Sequence, residues 1–300
     1  MNSYVILSVS MLAALFANVI KKHSTAGFES KKIMRFFFNA VVTFTCALSL
    51  FIISLTNRLP KISSFTLLLG ILFGIITAIQ FFFSLMSHEN GPFSYTSVIV
   101  SLSTIIPALS GYLIWGESIA TVQIIGMVLM LLCFFLSVDF SKSDKKGSPL
   151  WFVYVFITFL ATGFIGVMQK WHQSSEYKSE LDGFLIIAFL TAFIFSIAGT
   201  AFSLLYSKKE GKEKFTKRDI APLAIVFMVI CGICVAANNK MNLYLSGVID
   251  SAIFFPVVNG GGMILSTIAS VIIFKEKLGI QKCLGIAVGV LAVVLICNPF

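Results

Sequence analysis

The feature that most constrains this chain is a succession of long apolar runs, which a single water-soluble core cannot accommodate. Of the 300 residues, 58% are hydrophobic and 12% are charged, which is about half the charged share of an average soluble domain. Since about 20 mostly apolar residues in helical form cross the hydrocarbon of a bilayer, the runs predict membrane spans. Stretches such as residues 66–83 are apolar on every side, whereas a membrane β-barrel would alternate apolar and polar residues.

Ten spans are predicted, joined by short links. They comprise residues 4–20, 34–54, 65–86, 92–115, 121–138, 150–168, 183–206, 220–245, 248–274 and 278–297. The first is expected to be a retained span, because its lysines follow the apolar run, whereas those of a signal peptide precede it. No soluble domain of any size is expected, so function is expected inside an all-α membrane bundle.

The charges and the cysteines exclude several classes of function. A net charge of +9 would suggest nucleic acid in a soluble protein, but here the charges lie in links, where they set orientation and meet lipid headgroups. All six cysteines lie in apolar spans. Cys231 and Cys234 have the CxxC spacing of metal and redox sites, but no histidine or second cysteine pair accompanies them. We therefore expect no nucleic-acid partner, no metal site and no cofactor.

A hydrophilic stretch at residues 139–148 divides the chain into halves of five spans each, residues 1–140 and 149–300. Similarity at a fixed register is the mark of an internal repeat. Gly126 follows Glu117 by nine residues, and Gly285 follows Glu276 by nine. Because five is odd, two tandem copies enter the membrane from opposite sides. The predicted architecture is an inverted repeat, which is recurrent among secondary transporters.

These motifs resemble the ends of the repeats in the drug/metabolite transporter superfamily, in particular its EamA-like members. The resemblance is carried by residues 116–119 with Gly126, by residues 274–278 with Gly285, and by Arg35 opening the second span. It covers essentially the whole chain and implies a ten-helix solute carrier, with the substrate between the inverted halves.

The chain differs from that family in one respect and shares a feature with a second group of membrane proteins. Thr104 and Met263 stand where such repeats often carry a proline. The glycine-rich residues 259–263 also look similar to the third helix of small multidrug-resistance proteins. Those proteins rely on a glutamate in their first helix, and the first span of this chain has no carboxylate.

The distribution of basic residues predicts the orientation. Links after the odd-numbered spans carry 17 lysines and arginines, and the remaining links carry 5. The positive-inside rule therefore predicts that both termini lie outside the cytoplasm. The expected location of the protein is the plasma (inner) membrane. The family resemblance implies the opposite orientation.

Two spans contain helix-breaking residues, which are sequence pointers to a transporter site. Asn259 lies beside them near mid-span and is a candidate for substrate binding. The glycines have an alternative role in close helix packing, for which the Gly70/Gly74 and Gly285/Gly289 spacings are also suited. The predicted interruptions are formed by Pro107 with Gly111 in the fourth span, and by Pro256 with Gly260, Gly261 and Gly262 in the ninth.

The eighth span carries the densest polar run within any span. Asn238, Asn239 and Asn242 fall within an arc of about 100°, and their amides offer donors and acceptors to a polar solute or, alternatively, to neighbouring helices. Lys240 points elsewhere and is expected to extend to the headgroups. In the other half of the chain, Asn18 and Gln80 are further candidates.

No Asp or Glu lies near the centre of a predicted span. Because proton relays need ionisable groups at that depth, the sequence favours facilitated diffusion, exchange, or coupling through groups at the loop ends. Glu117 and Glu276 lie where one helix ends and the next begins, and we expect a structural role at a helix N-terminus.

The predicted function is transport of a small polar metabolite, such as an amino acid, by alternating access. One alternative is export of drugs or lipophilic cations, and another is a structural or receptor-like role. An intramembrane enzyme is not expected, since His23, His88 and His172 lie in links or at span ends. The expected partners are the solute and membrane lipids, and a homodimer is left open.

Overall fold

A computed structural model describes residues 3–25, 32–57, 60–91, 93–136, 149–210, 222–274 and 279–297. These ranges are helical and contain no strand, which confirms the all-α prediction. The helices are α1 (Ser3–Thr25), α2 (Lys32–Asn57), α3 (Ser64–Asn90), α4 (Phe93–Ser101), α5 (Ile105–Trp115), α6 (Thr121–Leu136), α7 (Pro149–Gln173), α8 (Leu181–Glu210), α9 (Pro222–Ser246), α10 (Ser251–Phe274) and α11 (Ile280–Cys297).

Membrane-spanning length is reached by most of these helices. Nine stretches among the described residues are long and apolar enough to cross a bilayer, and they correspond to nine of the predicted spans. The remaining span corresponds to α6, an apolar helix of 16 residues. The protein is therefore a multi-pass membrane protein. The predicted dividing stretch and Glu276 lie outside the described residues.

The fourth span is interrupted, as the sequence predicts. A turn of 3₁₀-helix, Leu102–Thr104, separates α4 from α5. Pro107 is the third residue of α5 and has no amide to donate to the Ser103 carbonyl. Part of the backbone in mid-span is thereby released from regular α-helical bonding.

The predicted interruption of the ninth span is wrong, because α10 is helical through Pro256 and the glycines that follow it. Pro256 is the sixth residue of α10, so the carbonyl that loses its donor belongs to Ala252, the second residue of the helix. The two prolines are also not equivalent in register. Pro107 precedes Glu117 by 10 residues, and Pro256 precedes Glu276 by 20.

The chain forms two compact units. The first unit comprises Met1–Met11, Ile79–Ser175 and Leu243–Phe300, and the second comprises Leu12–Ala78 and Glu176–Asn242. Each unit therefore combines segments from both halves of the sequence, and α1, α3 and α9 contribute residues to both.

In the first unit, α6 packs along α11, and α10 packs against α5 and α11. Glycine permits the closest of these approaches. A Cβ atom at Gly126 would lie 2.7 Å from Cγ1 of Ile296, and one at Gly289 would lie 2.6 Å from Sγ of Cys133. Met130, Cys133, Phe134, Phe254 and Ile296 belong to the buried core that results.

In the second unit, α2 packs along α8. The rings of Phe44 and Phe193 lie 5.1 Å apart between these helices. A Cβ atom at Gly74 of α3 would lie 2.5 Å from the Ala188 carbonyl oxygen of α8. The packing role considered for Gly70 and Gly74 is therefore confirmed.

Candidate functional site

In the first unit, the interrupted span and α10 meet through a polar contact. Asn259 Nδ2 donates a hydrogen bond of 2.7 Å to Thr104 Oγ1, at the end of the 3₁₀ turn. Thr104 is buried, whereas Asn259 remains exposed. With a rise of 1.5 Å per residue, Asn259 lies about 12 Å from the start of α10. Its amide oxygen is not used in this contact and is a possible acceptor for a solute.

The three glycines beside Asn259 have different surroundings. A Cβ atom at Gly260 or Gly261 would contact Met130 or Met11 respectively, so both glycines serve close packing. Gly262 has no atom within 4 Å of its Cβ position. It follows Asn259 by three residues and shares its helix face. The helix face that carries Asn259 therefore has open space beside it at Gly262.

A buried charged cluster lies at the start of α10, and the sequence did not predict its composition. Lys170, near the end of α7, forms an ion pair with Glu117, and each side chain is 9% exposed. The Ser251 amide, at the start of α10, donates to Glu117 Oε2 at 2.7 Å. Glu117 does bind a helix N-terminus, but that helix is α10, which is distant in sequence, and not the adjacent α6.

Two glycines allow Glu117 to reach this position. Gly116 ends α5 with a φ of 65°, a left-handed conformation that glycine adopts without strain. The Glu117 amide then donates to the Gly111 carbonyl at 3.1 Å. A Cβ atom at Gly111 would overlap Glu117 Oε2. Gly111 therefore provides the space that the carboxylate occupies, in addition to any effect on the fourth span.

The end of α7 is a run of buried polar side chains. Gln169, Lys170, His172 and Gln173 are all buried, and Gln173 Nε2 lies 3.1 Å from His172 Nδ1. Since buried ionisable groups in spans are costly and mark functional positions, this end is a candidate site. One feature of the sequence could have indicated this site: a single helix face carries Gly163, Gly166, Lys170 and Gln173.

In the second unit, two asparagines of α9 donate hydrogen bonds within their own helix. Asn239 Nδ2 donates to the Val235 carbonyl at 2.9 Å, and Asn242 Nδ2 donates to Asn238 Oδ1 at 3.2 Å. All three are half-buried. Asn238 and Asn242 form a polar pair, whereas the Asn239 amide group is used within its helix.

Lys240 pairs with a carboxylate that the sequence did not indicate as its partner. Its Nζ lies 2.7 Å from Oδ1 of Asp182, in the first turn of α8, and the two side chains are 32% and 24% exposed. A carboxylate so close satisfies the ammonium directly. Nearby in sequence, Glu180 Oε2 accepts hydrogen bonds from the amide and hydroxyl of Ser63, each at 2.8 Å, just before α3 begins.

The remaining candidates are divided between the units. Gln80 is half-buried on α3 in the first unit, and Asn18 is exposed on α1 in the second. Cys231 donates to the Ala17 carbonyl at 3.6 Å, in agreement with a core role. Within the described ranges, no group of three or more His, Cys, Asp or Glu side chains could hold a metal ion.

Comparison with known proteins gives a fold but no function. No family model matches the chain, and no curated protein matches it. The chain is similar to a protein of known crystal structure, with a TM-score of 0.67 over 98% of each chain and 13% sequence identity. At that identity the similarity concerns the fold alone.

Proposed function

We propose that the protein is a secondary transporter of the EamA-like drug/metabolite type, which moves a small polar metabolite across the plasma membrane by alternating access. The observation that carries the proposal is the packing of corresponding spans on each other. α2 packs along α8, α5 against α10, and α6 along α11. In the ten-span reading these are the second, fourth and fifth spans of each half. An inverted duplication accounts for such pairs, since a two-fold axis in the membrane plane relates them.

The polar groups at mid-span support a solute site. Asn259 is exposed beside the 3₁₀ turn, and its amide oxygen, which the contact with Thr104 does not use, is costly in hydrocarbon unless something polar faces it. Discontinuous helices at such a depth are the usual place for a transported solute. The Asn238 and Asn242 pair of the second unit is a further candidate for solute contact.

The surroundings of Glu117 favour a polar metabolite over a lipophilic cation. An exporter of cations would use a buried carboxylate that is free to attract them. The carboxylate of Glu117 is already neutralised by Lys170. A receptor-like role, the alternative of another class, would include binding without solute flux.

Reconstitution into liposomes tests the proposal. A thermal-shift screen of detergent-purified protein against metabolite pools would select solutes, and mass spectrometry would follow their uptake. We expect uptake that exceeds that of empty liposomes and proceeds down a solute gradient without a pH gradient. Binding without uptake would favour the receptor-like role, and strict dependence on a proton gradient would contradict the coupling expected here. Ser8→Ala is a suitable control, because Ser8 is exposed and its hydroxyl donates to the Tyr4 carbonyl of its own helix.

A further inference from the structure

We infer that Lys170 and Ser251 form a carboxylate site that Glu117 occupies in this conformation. A zwitterionic solute uses the site by giving its carboxylate to Lys170 and its ammonium group to Glu117. The inference rests on the proposed transport function and names its substrate class, which is a free α-amino acid or a solute with the same pair of charges.

The first argument is that the donors are already arranged for a carboxylate. Lys170 supplies a buried ammonium group that pairs with Oε1 of Glu117. The Ser251 amide donates to Oε2 of the same carboxylate at 2.7 Å. Because Ser251 begins a helix of 24 residues, the positive end of the helix dipole adds to both. Helix starts of this kind hold substrate carboxylates in other transporters.

The second argument is a donor that the protein itself does not use. Ser251 is fully buried, and among the described residues its Oγ has no hydrogen-bond partner. Oγ of Ser251 and Oε2 of Glu117 lie close to the same point, the position of a Cβ atom at Gly111. An unpaired hydroxyl in such a place is unfavourable, and a ligand carboxylate provides the acceptor it lacks.

The third argument is charge balance, which selects a zwitterion. A simple anion that displaced Glu117 would leave that carboxylate buried and unpaired, and a simple cation would leave Lys170 unpaired. Leaving one buried charge without its partner is strongly unfavourable. A zwitterion exchanges one internal ion pair for two pairs with the solute, so that no charge is left alone. A neutral solute offers no such exchange.

The ligand test uses derivatives that each lack one charge. Binding of common L-amino acids to the detergent-purified protein would be measured by thermal shift, then by calorimetry for those that bind. For each of these, the amide lacks the carboxylate and the N-acetyl derivative lacks the ammonium group. We expect both derivatives to bind about tenfold more weakly or worse. Equal affinity of a parent and either derivative, or no binding by any amino acid, would overturn the inference.

The variant test compares two buried serines. In Ser251→Ala the resting protein loses no hydrogen bond from the hydroxyl, so its melting temperature should be unchanged or higher. Its affinity for the amino acid should fall about three- to tenfold. In the control Ser246→Ala, the lost hydroxyl donates to the Leu243 carbonyl at 2.7 Å. The control should melt at a lower temperature and bind with normal affinity. An unchanged affinity of Ser251→Ala contradicts the inference.

The two proposals fail in different ways. Liposomes that take up a neutral metabolite but ignore amino acids would leave the transport function standing and remove the zwitterion site. Charge-dependent binding of amino acids without uptake would support the site and remove the transport function. The double variant Glu117→Gln with Lys170→Gln, which carries neither charge, should bind a parent amino acid and its amide equally. Continued discrimination by that variant counts against the inference.

Discussion

Two ion pairs among the described residues look alike in sequence and differ in their surroundings. Lys170 and Lys240 both lie within two turns of the end of an apolar helix, α7 in the first unit and α9 in the second. The Lys170–Glu117 pair is 9% exposed on both sides, whereas Lys240 and Asp182 are 32% and 24% exposed. Burial decides which pair has the larger effect on stability. Solvent screening weakens an exposed pair, whereas removal of one partner from a buried pair leaves a charge buried without its counter-ion.

A second difference lies in what else the carboxylate binds. Glu117 also accepts the Ser251 amide and lies against Gly111, so it links the α5–α6 connection to α7 and α10. Asp182 lies in the first turn of its own helix, α8. The first pair therefore holds three segments together, and the second holds two helices.

The largest effect is expected from breaking the buried pair. Lys170→Gln leaves the Glu117 carboxylate buried without its counter-ion and should lower the free energy of unfolding by about 3 to 5 kcal/mol. Unfolding by denaturant in detergent micelles would measure it. The double variant Lys170→Gln with Glu117→Gln should be more stable than either single variant, because no charge remains unpaired. Additive losses in the double variant would show that the pair is not coupled.

Crowding the carboxylate should have the next largest effect. Gly111→Ala places a methyl group where Glu117 Oε2 lies, which should lower the free energy of unfolding by about 1 to 3 kcal/mol. Gly262→Ala is the matched control, since nothing lies within 4 Å of that Cβ position. The control should be as stable as the parent, or more stable by up to about 1 kcal/mol from helix propensity. Equal melting temperatures for both variants would contradict the close contact at Gly111.

Solute contacts should have smaller effects that appear in affinity. Asn259→Ala and Asn238→Ala should each weaken binding by about 0.5 to 1.5 kcal/mol, the net contribution of a hydrogen bond, with little loss of folded protein. Asn239→Ala should change affinity less, because its amide group bonds to Val235 of its own helix. Calorimetry with the solute selected in the uptake assay would compare the three. Reduced yield and melting temperature with normal affinity would assign Asn259 and Asn238 to packing.

The exposed pair should matter least for stability. Lys240→Gln should lower the free energy of unfolding by under about 1 kcal/mol, and part of that difference should disappear in high salt. A loss as large as that for Lys170→Gln would show that exposure does not separate the two pairs. The same denaturation series at two salt concentrations makes the comparison.

The orientation can be tested with a substitution at the first residue of α1. From the bias of 17 basic residues to 5, a membrane-impermeant thiol reagent applied to intact cells should label Ser3→Cys. The parent protein is the control, since its own cysteines lie in or at the ends of apolar helices. Labelling only after permeabilisation would place the N-terminus in the cytoplasm.

The apolar runs were sufficient to predict the helices and most of their ends. A segment of about 20 apolar residues has few alternatives to a membrane helix, since every backbone polar group must be bonded within the segment. The break in the fourth span was also predictable, because Pro107 removes a donor wherever it stands. The same rule failed for α10, where the loss falls at the second residue of the helix and the surrounding residues are buried.

The partners of polar side chains were not predictable, because they depend on which helices meet. Asn259 was predicted as a substrate-binding residue because helix-breaking residues lie beside it in the sequence. Its contact with Thr104 was not predictable, since it joins residues 155 apart. Likewise, nothing local in the sequence predicts that Lys170 pairs with Glu117 or that Lys240 pairs with Asp182. The sequence by itself determined that this chain spans a membrane as helices, through local hydrophobicity and backbone bonding. Only the tertiary structure decided which charges are buried together, because burial is a property of the packed helices and not of any one of them.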